Sequence, residues 1–127
     1  MDISSQLRTN AQTAIENLMA EVRGIKGVVI STEDGFELAS YVENTAQVSR
    51  LAAMASSLAA LSALAGEESQ LGACDNMVMQ AAEGFLVIVQ VHRPDLTLIL
   101  SVVAGRETVM GQVLYFGKQA AKLLKDA

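Results

Sequence analysis

A tight turn separates two short apolar segments near the start of the chain, in the sequence GVVISTEDGFELAS at residues 27–40. The first segment, 27–31, is short and rich in β-branched residues, as strands are. Asp34-Gly35 tolerates the positive φ angles that a tight hairpin needs. The return segment, 36–41, alternates apolar and polar residues in its first half, which is typical of a half-exposed strand. These residues predict a β-hairpin.

Helical periodicity flanks this hairpin on both sides. Before it, apolar residues between positions 3 and 22 recur at spacings of three and four, and Asp2, Ser4 or Ser5 is suited to cap the helix start. After it, residues 45–65 predict a second helix, in which positions 51–65 include no charged residue. A helix that is apolar or small on every side is usually covered on more than one side.

The second half of the chain predicts three strands and a closing helix. The strands span 76–82, 85–93 and 96–104, after a polar loop at 66–75, and Thr108 is suited to cap the last helix. Continuous apolar runs at 85–89 and 98–100 are typical of strands covered on both faces. The order α-β-β-α-β-β-β-α predicts an α/β sandwich (α+β) as a single domain over 1–127. Its five-stranded, largely antiparallel sheet is covered by helices on both faces.

Composition limits the function classes. The 127 residues are 51% hydrophobic and 18% charged, which indicates a folded domain. The net charge of −5 argues against nucleic-acid binding, since phosphate neutralisation needs clustered Lys and Arg. The first residues lack the pattern of a signal peptide, so we expect a cytoplasmic protein. The charge-free run 51–65 is shorter than the roughly 17–25 residues of a membrane span, so we expect no membrane insertion.

Residues that carry chemistry are few. The chain lacks a Gly-rich phosphate loop and the dinucleotide fingerprint. His92 is the only histidine and Cys74 the only cysteine, and neither has a second ligand or a base nearby in sequence. Glu67 and Glu68 are neighbours on the predicted loop and share one solvated environment. We therefore expect no enzymatic activity, no catalytic residues, no cofactor and no metal.

The hairpin at 27–40 resembles the first hairpin of the Roadblock (dynein light chain) family, and the element order matches that family over essentially the whole chain, as in a compact bacterial member. The resemblance implies a homodimer in which the second helices pack together and the third strands pair. It places the dimer interface on four helix residues and four strand residues: Leu51, Met54, Leu58, Leu61, Met77, Val78, Met79 and Gln80. An internal core remains the alternative role for these residues.

The resemblance also implies a function. Family members of this type are non-enzymatic scaffolds, and the bacterial ones modulate the nucleotide cycle of a small Ras-like GTPase. An arginine supplied to the GTPase in trans is conceivable, with Arg50, Arg93 and Arg106 as candidates. Two alternatives stay open: a structural adaptor in a kinase or motility complex without GTPase regulation, and a small-molecule sensor. Low aromatic content, 4%, disfavours the sensor, because ligand pockets favour aromatic linings.

Overall fold

Three helices and five strands make up the computed structural model, which describes residues 4–42 and 47–126. In chain order they are α1 (Ser5–Glu21), β1 (Ile25–Thr32), β2 (Glu37–Val42), α2 (Val48–Glu68), β3 (Asn76–Ala81), β4 (Gly84–His92), β5 (Thr97–Gly105) and α3 (Met110–Asp126). The strands form one sheet in the spatial order β2-β1-β5-β4-β3, and every neighbouring pair is antiparallel. The predicted element order and fold class are confirmed.

Large aliphatic side chains fill the layer between the sheet and the pair α1 and α3. Leu18 of α1 and Leu124 of α3 are almost fully buried against Val87, Leu100 and Val102 of the strands. Of the three predicted candidates, Ser4 caps α1, because its Oγ accepts a hydrogen bond from the Leu7 N–H at 3.1 Å. This face of the sheet is closed by the chain's own residues.

Small side chains form the contact on the opposite face, which α2 covers alone. The buried residues of α2 are Ala52, Ala55 and Ala59. Ala55 and Ala59 pack over Leu86, Ile88 and Ile99 of the strands, which join them in one buried cluster. Alanine brings the helix close to the sheet, but it removes far less apolar surface from water than leucine does.

The end of α2 differs from the prediction, because the helix continues to Glu68 instead of ending at residue 65. The chain turns back sharply after Glu68, and the N–H groups of Leu71 and Gly72 donate to the Gly66 carbonyl at 2.8 and 3.2 Å. A Cβ at Gly66 would collide with the Gly72 carbonyl oxygen. Gly66 therefore admits the returning loop and does not break the helix. The predicted start at 45–46 lies outside the described residues.

Two smaller expectations also change. Glu67 and Glu68 lie in the last turn of α2, not on a loop. Thr108 does not cap α3 with its side chain: its Oγ1 donates to the Arg23 carbonyl at 2.9 Å. That bond joins the α1–β1 connection to the start of α3, because the two connections lie side by side at one end of the sheet.

Candidate interaction surface

The outward side of α2 is apolar and exposed. Met54, Leu61 and Leu64 are 55%, 62% and 51% exposed, and all three lie within the charge-free run 51–65. By length and composition alone, α2 is long and apolar enough to cross a membrane, and 17% of the window that meets this criterion is buried inside the chain. Exposed apolar residues grouped in this way mark interaction sites.

The strand β3 forms one edge of the sheet. It pairs with β4 on one side and has no strand neighbour on the other among the described elements. Met79, which is 47% exposed, and Gln80 lie on this edge strand. An unpaired strand edge is a template for pairing with another chain.

The other edge of the sheet, β2, is contacted by an arginine at its first two residues. The Arg8 guanidinium donates to the carbonyl oxygens of Glu37 and Leu38 at 3.4 and 3.5 Å. The pairing of β1 with β2 also contains an irregularity between Ile30 and Ser31. Side-chain donors and bulges are devices that discourage strand addition. The two edges therefore differ in their readiness to pair.

The exposed side of α2 and the β3 edge are continuous. Ser62 of α2 lies over β3, because its Oγ, which donates to the Leu58 carbonyl at 2.8 Å, is 3.1 Å from Met77 Sδ. Beyond Ser62 the helix is exposed on nearly every side up to Glu68, so its last turns project past the edge of the sheet. We call this continuous region the α2–β3 surface, and its exposed apolar residues are Met54, Leu61, Leu64 and Met79.

A groove runs between α2 and the sheet beside this surface. Its walls are Leu51 and Met54 from the helix and Val42, Gly27 and Val103 from the strands, and its volume is about 480 Å³. Lys26, Gln47 and Arg50 complete its lining. The groove thus combines apolar walls with two cationic side chains.

The predicted interface residues fall into two groups. Met54, Leu61, Met79 and Gln80 are exposed. Half-buried residues make up the second group. Leu51, Leu58 and Met77 pack against the buried residues under α2, and Val78 packs on the opposite face against the α1–α3 layer. This second group thus contributes to the core, and the assignment of all eight residues to a dimer interface stays a prediction.

Sequence reasoning missed two exposed apolar residues on or just beyond α2. Leu64 lies on the outward side of α2, and Leu71, 82% exposed, follows its end. The absence of charge from 51–65 was a signal that could have identified Leu64 as exposed. Leu71 stood in a predicted polar loop, and no periodic pattern marked it.

The other candidate groups have local roles. The half-buried Cys74 donates its Sγ–H to the Asn76 carbonyl at 3.3 Å. His92 is exposed at the end of β4, with Nδ1 3.5 Å from Thr97 Oγ1. Over residues 4–42 and 47–126, no three His, Cys, Asp or Glu side chains come together as a metal site would require.

Arg93 serves the fold. Its side chain is 12% exposed, its Nε lies 3.0 Å from an Asp95 carboxylate oxygen, and its Nη1 donates to the Leu124 carbonyl. The hydrogen bond from Arg93 lowers the pKa of Asp95 below its usual 3.8. Arg93 is thereby held at the end of α3, whereas Arg50 and Arg106 are exposed.

The chain is similar to known proteins both in its sequence pattern and in its fold. The sequence model of the family described as mitogen-activated protein kinase kinase 1 interacting matches residues 9–127. No curated protein matches the sequence significantly. Among solved structures, Myxococcus xanthus MglB is similar at 16% identity with a TM-score of 0.84, over 99% of this chain and 92% of that one.

Two further structures have the same architecture. A Roadblock/LC7 domain from Streptomyces avermitilis is 22% identical with a TM-score of 0.74, over 91% of this chain and 92% of that one. An MglB with a tetrameric arrangement is 20% identical with a TM-score of 0.84, over 98% of this chain and 91% of that one. At these identities the similarity shows a shared fold.

Proposed function

Because the chain belongs to the mitogen-activated protein kinase kinase 1 interacting family, a Roadblock-like family, we propose that it is a homodimeric, non-enzymatic scaffold that binds and regulates a small Ras-like GTPase in the cytoplasm. The observation that carries the proposal is the α2–β3 surface, where an uncovered apolar helix meets an unpaired strand edge. Such a surface needs a protein partner, and a second copy supplies one with the same two features.

Self-association follows from the shape of that surface. Antiparallel pairing of β3 with β3 of a second copy would continue the sheet across a two-fold axis. The same axis would bring the two α2 helices together on one side of the enlarged sheet. Met54, Leu61, Leu64 and Met79 would then leave water, which supplies the hydrophobic free energy of association. A tetrameric arrangement recorded for one MglB structure supports self-association as a property of this fold.

We assign GTPase binding to the surface that remains exposed in the proposed dimer. In this proposal the GTPase brings its own phosphate-binding loop and Mg²⁺, and the scaffold contributes a docking surface that modulates the nucleotide cycle. Pairing through the α2–β3 surface would leave the α1–α3 side of both copies accessible. The resemblance of the sequence to bacterial Roadblock proteins supports this type of partner.

A binding experiment with defined nucleotide states tests the proposal. The purified protein is immobilised and exposed to the small Ras-like GTPase encoded nearest its gene, loaded with GDP or with a non-hydrolysable GTP analogue. We expect retention to differ between the two states and the rate of GTP hydrolysis to change on addition of the scaffold. Failure to bind in either state would contradict GTPase regulation.

A structural adaptor in a kinase complex is the second candidate, and the description of the matching family favours it. An adaptor would use the same α2–β3 surface for assembly, but its partner would not respond to nucleotide. Equal retention of the GTPase in both states, or capture of a kinase by the purified dimer with no nucleotide present, would support the adaptor.

A further inference from the structure

A glycine in β1 forms the lowest part of the groove beside α2. Strand pairing sets Gly27 between Val42 of β2 and Val103 of β5, so the three residues lie in one row across the sheet, and all three line the groove. Because glycine has no side chain, the row dips at its centre, where an added Cβ would lie 3.0 Å from Val42 Cγ1. The row crosses two strand spacings, about 10 Å, and so gives the groove an apolar trough as its floor.

One side of α2 forms the opposite wall. Gln47, Arg50, Leu51 and Met54 recur at helical spacing, so they lie on the same side of the helix, and all four line the groove. None of the described residues that line the groove is aromatic. Aromatic ligands gain much of their specificity from contact with aromatic side chains, so this lining favours a hydrocarbon chain over a flat ring.

A bulge brings a lysine into the same groove. The pairing of β1 with β5 shifts register between Ile25 and Gly27, which leaves Lys26 as the extra residue of the bulged strand. Bulges redirect side chains, and Lys26 lines the groove together with Arg50. Both cations are exposed, and neither forms an ion pair with a carboxylate within 4–42 and 47–126. The groove therefore offers two available positive charges beside an aliphatic trough.

The proposed dimer leaves this groove uncovered. Its floor lies on β5, β1 and β2, which are two, three and four strand spacings from β3. Six residues of α2 follow Ser62, which lies over β3, and they extend about 9 Å. In a dimer paired through β3, the acidic end of the second copy's α2 therefore stands over β4 and stops short of the groove. A ligand in the groove is thus compatible with dimer formation.

We propose that the groove beside α2 binds an amphipathic carboxylate, a small molecule with an aliphatic chain and one anionic end. The chain lies in the trough between Val42 and Val103, and the carboxylate pairs with the cationic side chains of Lys26 and Arg50. A volume of about 480 Å³, apolar walls and a few polar groups that fix orientation are typical of small-molecule sites. The site adjoins the α2–β3 surface at Met54, and the inference depends on neither the homodimer nor the GTPase.

Titration with decanoate, below the concentration at which it forms micelles, tests the proposal. We expect isothermal titration calorimetry to show saturable binding. Decanol has the same chain without the charge and should bind at least about tenfold more weakly. Hexanoate keeps the carboxylate but lacks four methylene groups, so it should also bind at least about tenfold more weakly. The absence of saturable binding, or equal affinity for decanoate and either of the other two ligands, would overturn the proposal.

Neutral substitutions locate the anionic end. Lys26→Gln and Arg50→Gln each remove one charge from the groove, so each should raise the Kd for decanoate about fivefold and leave the Kd for decanol unchanged. Lys122→Gln and Arg106→Gln are matched controls, because they remove the same charges from exposed positions on α3 and after β5. Both should bind decanoate as the unaltered protein does. Equal effects in the groove and control variants would show that Lys26 and Arg50 do not hold the carboxylate.

Nuclear magnetic resonance distinguishes the groove from the other apolar surface. Decanoate should shift the amide signals of Gly27 and Val103 and leave those of Leu61 and Leu64 unchanged. Shifts confined to Leu61 and Leu64 would mean that the ligand binds the α2–β3 surface by apolar contact alone, which contradicts the proposal. Vesicles of phosphatidylglycerol give a last comparison: co-sedimentation with them by a protein that does not bind decanoate would assign the groove to a membrane surface instead.

Discussion

The two faces of the sheet are covered by helices of opposite character. On one face, α1 and α3 bury leucine, isoleucine and valine side chains, and α3 is fastened at its end by Arg93. On the other face, α2 buries three alanines and leaves Met54, Leu61 and Leu64 in contact with water. The size of the helix side chains that face the sheet thus affects how much apolar surface is buried inside the chain. With small residues against the sheet, large apolar ones remain at the surface of α2.

The largest effect should follow truncation in the α1–α3 layer. Leu18 is 1% exposed, so Leu18→Ala should lower the free energy of unfolding by about 2–5 kcal/mol through lost transfer energy and a cavity. Urea denaturation measures the change. Leu64→Ala on the outward side of α2, in a Leu61→Glu background that prevents association, should cost at most about 0.5 kcal/mol. Equal losses at both positions would remove the difference between the faces.

A charge on the α2–β3 surface should affect association and leave the fold intact. Leu61→Glu places an unpaired charge in the proposed contact and should weaken self-association by about 3 kcal/mol, with an unchanged circular dichroism spectrum. Analytical ultracentrifugation measures the shift from dimer to monomer. Leu123→Glu, on the partly exposed side of α3, is the control and should remain dimeric. A stable Leu61→Glu dimer would place the interface elsewhere.

Enlarging an alanine on the side of α2 that faces the sheet tests how closely the helix approaches the sheet. Ala55 is 1% exposed over Leu86 and Ile88, so Ala55→Leu should cost about 1–3 kcal/mol by pushing the helix outward. Ala60→Leu adds the same atoms at an exposed position and should cost little when both are made in the Leu61→Glu background. Thermal unfolding gives the comparison, and tolerance of leucine at position 55 would show that α2 is loosely held.

Removing a buried hydroxyl under α2 should strengthen that face. The Oγ atoms of Ser31 and Ser101 are buried and have no hydrogen-bond partner among the described residues. A buried hydroxyl without a partner loses its hydration on folding, so Ser101→Ala should raise the free energy of unfolding by about 1 kcal/mol. Denaturant unfolding measures it. A loss of stability would mean that the hydroxyl is hydrogen-bonded in solution.

The smallest expected effect is the pH dependence of the stability that the Arg93–Asp95 pair contributes near the end of α3. The pKa of Asp95 is lowered chiefly by its hydrogen bond with Arg93, so the folded protein favours the carboxylate more than the unfolded chain does. The resulting stability is present above pH 3.8 and is lost as the pH falls through the lowered pKa. The difference in Tm between the unaltered protein and Asp95→Asn should therefore be small at neutral pH and vanish in acid. A difference independent of pH would contradict this origin.

Much of the fold was predictable because its signals are local. Alternation and helical spacing can be identified in any window of the chain, and they located all eight elements to within a few residues. The turn at Asp34-Gly35 was equally local, and Gly35 has the expected positive φ of 91°. The end of α2 was not predictable, because a glycine at position 66 is required by a carbonyl that approaches from the returning loop.

The candidate site was predictable only in outline. The absence of charge from 51–65 indicated that α2 needs cover on more than one side, and the apolar strands indicated cover on both faces. The side of α2 that meets the sheet was not evident, because leucine and alanine stripes run along the same helix. The structure turns Ala52, Ala55 and Ala59 inward, and the last two pack over Leu86, Ile88 and Ile99.

The sequence by itself determined the order of the elements, the hairpin and the excess of apolar residues on α2, because each depends on residues close together in the chain. Only the tertiary structure decided that α2 projects past β3, that Arg8 contacts the start of β2 while β3 has no strand neighbour on its outer side among the described elements, and that Lys26 and Arg50 line one groove. Those facts depend on distances between residues far apart in sequence, which packing sets and local patterns do not record.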